Sequence, residues 1–95
     1  MATTQQIRNA IRAAATIVGV NFKGKTTYTD TKPSGTYVCF PMPWGTKGLA
    51  GVVASEANAI LFMATGESDV VRVLYRAADD YSYRSGRAYL RATAK

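Results

Sequence analysis

The sequence predicts an α+β fold, with an N-terminal helix packed on a four- to six-stranded antiparallel sheet. Three observations carry that expectation. Apolar residues recur at helical spacing near the N-terminus, at Ile7, Ala10, Ile11, Ala14 and Val18. Beyond residue 20, short runs rich in β-branched and aromatic residues alternate with glycine and proline turn signals. The length of 95 residues, with 47% hydrophobic and 19% charged side chains, suits one folded domain over residues 1–95.

The helix is read over residues 3–18. Thr3 is its expected N-cap, and Gln6 three residues later completes a capping-box pattern. Gly19 follows the last apolar position, where a C′ glycine ends a helix. Residues 20–30 have the composition of a strand, with Val20 and Phe22 alternating with Asn21 and Lys23 before Gly24 interrupts. Lys32-Pro33-Ser34-Gly35 is a turn, because proline presets φ and glycine supplies a positive φ. A strand at residues 36–40 completes the predicted hairpin. Residues 41–51 hold two prolines and three glycines and are read as a loop carrying Trp44.

Residues 52–65 admit two readings. Their near-continuous apolar run fits a helix from about Ser55 ended by Gly66, and equally a strand over 59–65 turning through 66–68. The tight turn signal and the strand behind it favour the strand. That next strand spans 69–77, where Val71, Val73 and Tyr75 alternate with Arg72, Leu74 and Arg76. Residues 81–84 and 87–93 flank Ser85-Gly86, a two-residue hairpin signal. In the last strand Ala88, Leu90 and Ala92 share one face, and Arg87, Tyr89 and Arg91 the other. No internal repeat is visible in the sequence.

Composition narrows the chemistry. Without histidine the chain has no Ser-His-Asp or Cys-His machinery and no histidine-ligated metal. One cysteine, Cys39, cannot form an internal disulfide or a multi-cysteine zinc site. It lies between Val38 and Phe40 and is expected to be a buried filler in a reducing cytoplasm. No stretch reads as a membrane span or a secretory signal. Asp79-Asp80 is expected to be an ion-paired turn beside Arg76 and Arg84. Gly45–Gly51 lacks the spacing of a phosphate-binding P-loop. The expectation is therefore a non-enzymatic binding protein with no metal and no cofactor.

The charge is distributed in a way that suggests what is bound. The chain has 12 Lys+Arg and 6 Asp+Glu, a net +6. Residues 1–32 carry +4, residues 33–71 carry −2, and residues 72–95 carry +4 again. The C-terminal basic segment is mostly arginine interleaved with tyrosine. Arginine forks pair with phosphate, and tyrosine rings offer stacking faces for bases. Arg72, Arg76, Arg84, Arg87, Tyr89 and Arg91 are thus candidate nucleic-acid-binding residues, with Arg8, Arg12, Lys23 and Lys25 extending the footprint. A solvated sheet face would have the same composition. Trp44 and Lys47 are candidate partner contacts, and the segment 52–65 with Trp44 is a candidate homodimer surface.

Three resemblances bear on these expectations. Val71–Asp80 resembles the central strand of RelE/ParE-type toxins, although this chain opens with a helix and a hairpin. The order helix, strand, strand over residues 3–40 is similar to the HicA and double-stranded-RNA-binding arrangement, but the histidine of HicA-type ribonucleases is absent. Small size, a capped helix and a basic sheet also resemble small phage and mobile-element proteins, including anti-CRISPR-like inhibitors. The expected function is nucleic-acid binding. The alternatives are a protein inhibitor or assembly component with an acidic or nucleic-acid-binding protein partner, and a toxin-like ribonuclease.

Overall fold

A computed structural model describes residues 2–22, 28–32, 35–43, 45–76 and 87–94; within these, the side chains of 28–32, 75, 76 and 87 are not described. Helix α1 spans Thr4–Val18, strand β1 Tyr28–Lys32 and strand β2 Gly35–Pro41. Helix α2 spans Ala50–Thr65, followed by β3 at Val71–Arg76 and β4 at Arg87–Ala94. The sheet order is β1-β2-β4-β3, and every neighbouring pair is antiparallel. The α+β class and the N-terminal helix therefore stand, with a second helix in place of one predicted strand.

Helix α1 forms as its sequence requires. The Gln6 amide N–H donates to Thr3 Oγ1 at 3.1 Å, and the Thr3 N–H donates to Gln6 Oε1 at 2.9 Å. This reciprocal pair satisfies two N–H groups that the first turn would leave without an intrahelical partner. Gly19 closes the other end in the left-handed region, its N–H reaching the Ala15 carbonyl at 2.8 Å. The predicted stripe is buried at Ile7, Ala10, Ile11 and Ala14.

Residues 50–65 are helical, which corrects the strand expected over 59–65. Continuous apolar character cannot distinguish a buried strand from a helix. Here the length, the run of good helix formers and the αL cap at Gly66 decide for the helix. Its start also lies inside the span 41–51 read as loop: a 3₁₀ turn at Lys47–Leu49 leads directly into α2. Lys47–Thr65 is, by length and composition, a helix long and apolar enough to cross a membrane, contrary to the sequence expectation. In this fold Ala50, Val53, Ala54, Ala57 and Leu61 of that helix are buried in the domain core.

The core lies between the two helices and one face of the sheet. Ile7 and Ile11 from α1, and Val53 and Leu61 from α2, join Val38 and Phe40 of β2 and Leu90 of β4. Phe40 is fully buried, with the Phe22 ring edge-on at 5.2 Å between centroids. Val20 and Phe22 are buried core residues outside any strand, so the first strand begins later than its composition suggested. Asn58 ties α2 to the sheet edge. Its Nδ2 donates to the Val71 carbonyl at 2.9 Å, and its Oδ1 accepts from the Val71 N–H at 2.7 Å. A side-chain amide thereby occupies both backbone groups of Val71 on the outer edge of β3.

The chain folds as two αββ units in succession, α1-β1-β2 and α2-β3-β4, whose last strands meet at the sheet centre. Their C′ glycines, Gly19 and Gly66, are 47 positions apart. The order β1-β2-β4-β3 sets the second hairpin outward from the sheet centre in the reverse order of the first. The sequence carries no trace of this repeated αββ order, because the two helices share neither residue identity nor burial pattern.

Candidate nucleic-acid interface

Strand parity sorts the sheet residues into two faces. Val38 and Phe40 of β2, Leu90 and Ala92 of β4 and Val71 of β3 are buried toward the helices. Tyr37 of β2, Tyr89, Arg91 and Thr93 of β4, and Arg72 and Leu74 of β3 alternate with them on the face turned away.

Register then places these residues in rows. Arg72 lies directly opposite Arg91 across the β3–β4 ladder, Leu74 opposite Tyr89, and Arg76 opposite Arg87. Rows of the same face two residues apart along a strand are separated by roughly 7 Å. The described side chains of this face therefore read Arg72 opposite Arg91, then Leu74 opposite Tyr89. Arg72 is exposed, and Arg91 and Tyr89 are half-buried. The Arg91 guanidinium lies over the Tyr37 ring at 3.8 Å from its centroid, a cation–π contact that fixes its plane.

Beside this face lies an open cleft of about 530 Å³, lined in part by Tyr37, Arg72, Leu74, Arg91 and Thr93. Its remaining wall is the α2–β3 connection, including Glu67, Ser68 and Asp69. Two carboxylates thus stand at the rim of the arginine face. Tyr37 and this acidic rim were not among the candidates read from the sequence. The alternation of Tyr37 with buried Val38 was the available signal for the tyrosine. The rim depends on α2 ending at Gly66, which the strand reading obscured.

Arg72, Tyr89 and Arg91 are thus brought together, with Arg76 and Arg87 joined to them by register. Arg12 is not on this face: its guanidinium sits 5.6 Å from the Phe40 ring centroid, on the helical side of the sheet. Arg8 is also on α1. Lys47 is exposed in the turn before α2, again in the helical layer. Lys23, Lys25, Trp44 and Arg84, and the turn at Asp79-Asp80, lie outside the described residues. Cys39 is buried, as expected, but its ladder neighbour is Arg91, a proximity invisible in the linear sequence. Among the described residues no group of three or more Cys, Asp or Glu side chains gathers as a metal site. No protein-family model, curated protein or solved structure matches this chain.

Proposed function

We propose that the protein binds nucleic acid through the face of its sheet turned away from α1 and α2, as a non-enzymatic protein of the cytoplasm. The observation that carries this reading is Arg72 opposite Arg91 across the β3–β4 ladder, with Tyr89 two residues along the same face. A phosphate backbone laid across the strands would meet both guanidinium groups. Arginine is suited to that task because its planar fork engages two phosphate oxygens at once. Tyr89 offers a ring beside this pair for an unstacked base, which favours single-stranded targets. Binding of this kind is dominated by phosphate neutralisation and carries little sequence information.

The test is a fluorescence-anisotropy titration with single-stranded DNA and RNA at low and high salt. Affinity should fall steeply with salt, since each neutralised phosphate releases condensed counterions. No binding, or binding indifferent to salt, rejects the reading.

A second reading is favoured by the acidic rim. Arg91 stacked on Tyr37 beside Glu67 and Asp69 makes a mixed-charge cleft of the kind protein partners engage, and Tyr and Arg are enriched at binding hot spots. In that reading the protein is a phage-type inhibitor or assembly component. Salt-insensitive capture of a protein partner, with no nucleic-acid binding, selects it.

A further inference from the structure

The outer face of α2 is not built for water. Val52, Ser55, Ala59, Phe62 and Met63 are exposed and recur at helical spacing along one side of the helix. Phe62 is 55% exposed and Met63 87%. Glu56, half-buried, borders this stripe, and Ser55 is the one polar residue within it; exposed apolar side chains at helical spacing are otherwise what a covered helix face carries. Helix α1 supplies a comparison within the same layer: it exposes Gln5, Asn9, Arg12 and Thr16, with Ile17 as its exposed large hydrophobic residue. Helix α2 exposes Val52, Phe62 and Met63.

We infer that this face of α2 is covered by a second copy of the chain, in an antiparallel, two-fold symmetric helix pair. Three features single out a copy of itself. First, α2 carries no basic residue, although the chain is +6 overall, so this face lets two cationic molecules approach. Second, the stripe is complementary to itself, as a two-fold interface requires. Crossing at Ser55 and Ala59 sets small residues against each other and brings Phe62 of each copy to Val52 of the other. The same crossing sets Met63 against Gly51, where a side chain would meet open space in the single chain. Third, the ends are complementary in charge. Exposed Lys47 precedes α2 and exposed Asp69 follows it, so antiparallel pairing brings the basic end of one helix toward the acidic end of the other.

A bilayer is a poorer occupant. Interfacial helices carry lysine and arginine along their polar side, and α2 has none. Spanning a bilayer would pull Val53, Ala57 and Leu61 out of the core and break the Asn58–Val71 bonds. In the proposed dimer the helical layers meet and the arginine faces point away from each other.

The test is the mass of the full chain by light scattering over a dilution series, after nuclease treatment and in high salt. Those conditions keep the outcome independent of nucleic-acid binding. The expected mass is twice 10.2 kDa. Ala59→Arg sets like charges across the axis, and the double change Phe62→Gln with Met63→Gln removes the apolar ends. Each should return the mass to 10.2 kDa with an unchanged circular-dichroism spectrum, since all three positions are exposed in the single chain. A wild-type monomer throughout the series overturns the inference. So does a dimer that persists in both variants, or a monomer that sediments with phosphatidylglycerol vesicles.

Discussion

The Arg91 guanidinium lies 3.8 Å above the Tyr37 ring centroid, on the sheet face that neither helix covers. Its ladder neighbours are Arg72 on one side and Cys39 on the other. The tyrosine ring thus holds a guanidinium close to the sheet, with Arg72 opposite it on the ladder. Arg91→Ala should weaken nucleic-acid binding for DNA and RNA alike. It should also lower the slope of log affinity against log salt by about one. Arg91→Lys retains the charge but loses the stacking plane and the fork, so affinity should fall while the slope stays. Paired salt titrations separate the two, and identical behaviour of Ala and Lys variants would remove Arg91 from the interface.

Tyr89 gives a second, sequence-independent handle. It sits two residues from Arg91 on the same face, opposite Leu74. Replacement by alanine should cost about 1–3 kcal/mol of binding if one base stacks there, with the salt slope unaltered. Anisotropy with an abasic oligonucleotide checks the cause, because the penalty should vanish when no base is available to stack.

Asn58 should matter to stability out of proportion to its surface position. Both of its amide atoms are engaged by the backbone of Val71. Asn58→Ala leaves those groups without their partner at a part-buried site and should cost about 1–3 kcal/mol in urea unfolding. Asn58→Asp should be at least as damaging, since it sets an acceptor against the Val71 carbonyl. A loss near zero in both variants would show that water replaces the amide.

Two glycines of α2 should respond in opposite directions. Gly66 caps the helix at φ +77°, where a Cβ is strained although no neighbour obstructs it. Gly66→Ala should destabilise by about 1 kcal/mol. Gly51 lies in the first turn with no positive φ and open space around it. Gly51→Ala should be neutral or stabilising by up to about 1 kcal/mol, because alanine restricts the unfolded chain and favours helix. Melting temperatures of the two variants test the sign.

Phe40 anchors the core. It is fully buried, and its contacts join α1, through Arg12, to the Phe22 segment. Phe40→Ala should cost about 3–5 kcal/mol, a large part of the stability of a domain this size. Guanidinium unfolding gives the number, and a cost below 1 kcal/mol would contradict the packing described.

Helix α1 was legible to the residue because its signals are local: a capping box, a 3.6-residue stripe and a C′ glycine. The β3 and β4 faces were legible because alternation in Val71–Arg76 and Arg87–Ala94 has one interpretation once a strand is assumed. The row of Arg72 beside Arg91 needed register, which depends on pairing between strands and not on either strand alone. Residues 52–65 admit both a helix and a strand over 59–65 from sequence because their apolar character is uniform. Periodicity carries information only where polar residues interrupt it, and α2 offers few. The same uniformity later proves informative, since it marks a helix with two faces to cover. The repeated αββ order was illegible for a different reason. Gly19 and Gly66 match as helix caps, but 47 positions before Asn58 and Ala59 stand Ile11 and Arg12, so neither identity nor burial marks the repeat.

The succession of two αββ units has a consequence for how the chain can be divided. Each unit alone is a helix beside a two-stranded hairpin, too little to hold a core by itself. The halves meet through α1 against α2 and through the β2–β4 ladder, and they are joined covalently only through residues 42–49, where Gly45 is exposed. Cutting the chain there leaves every long-range contact available to two separate peptides. Fragments 1–45 and 46–95 should each be unstructured alone and acquire the helical dichroism of the intact protein on mixing. Such reconstitution would read out the proximity of whatever is fused to each piece.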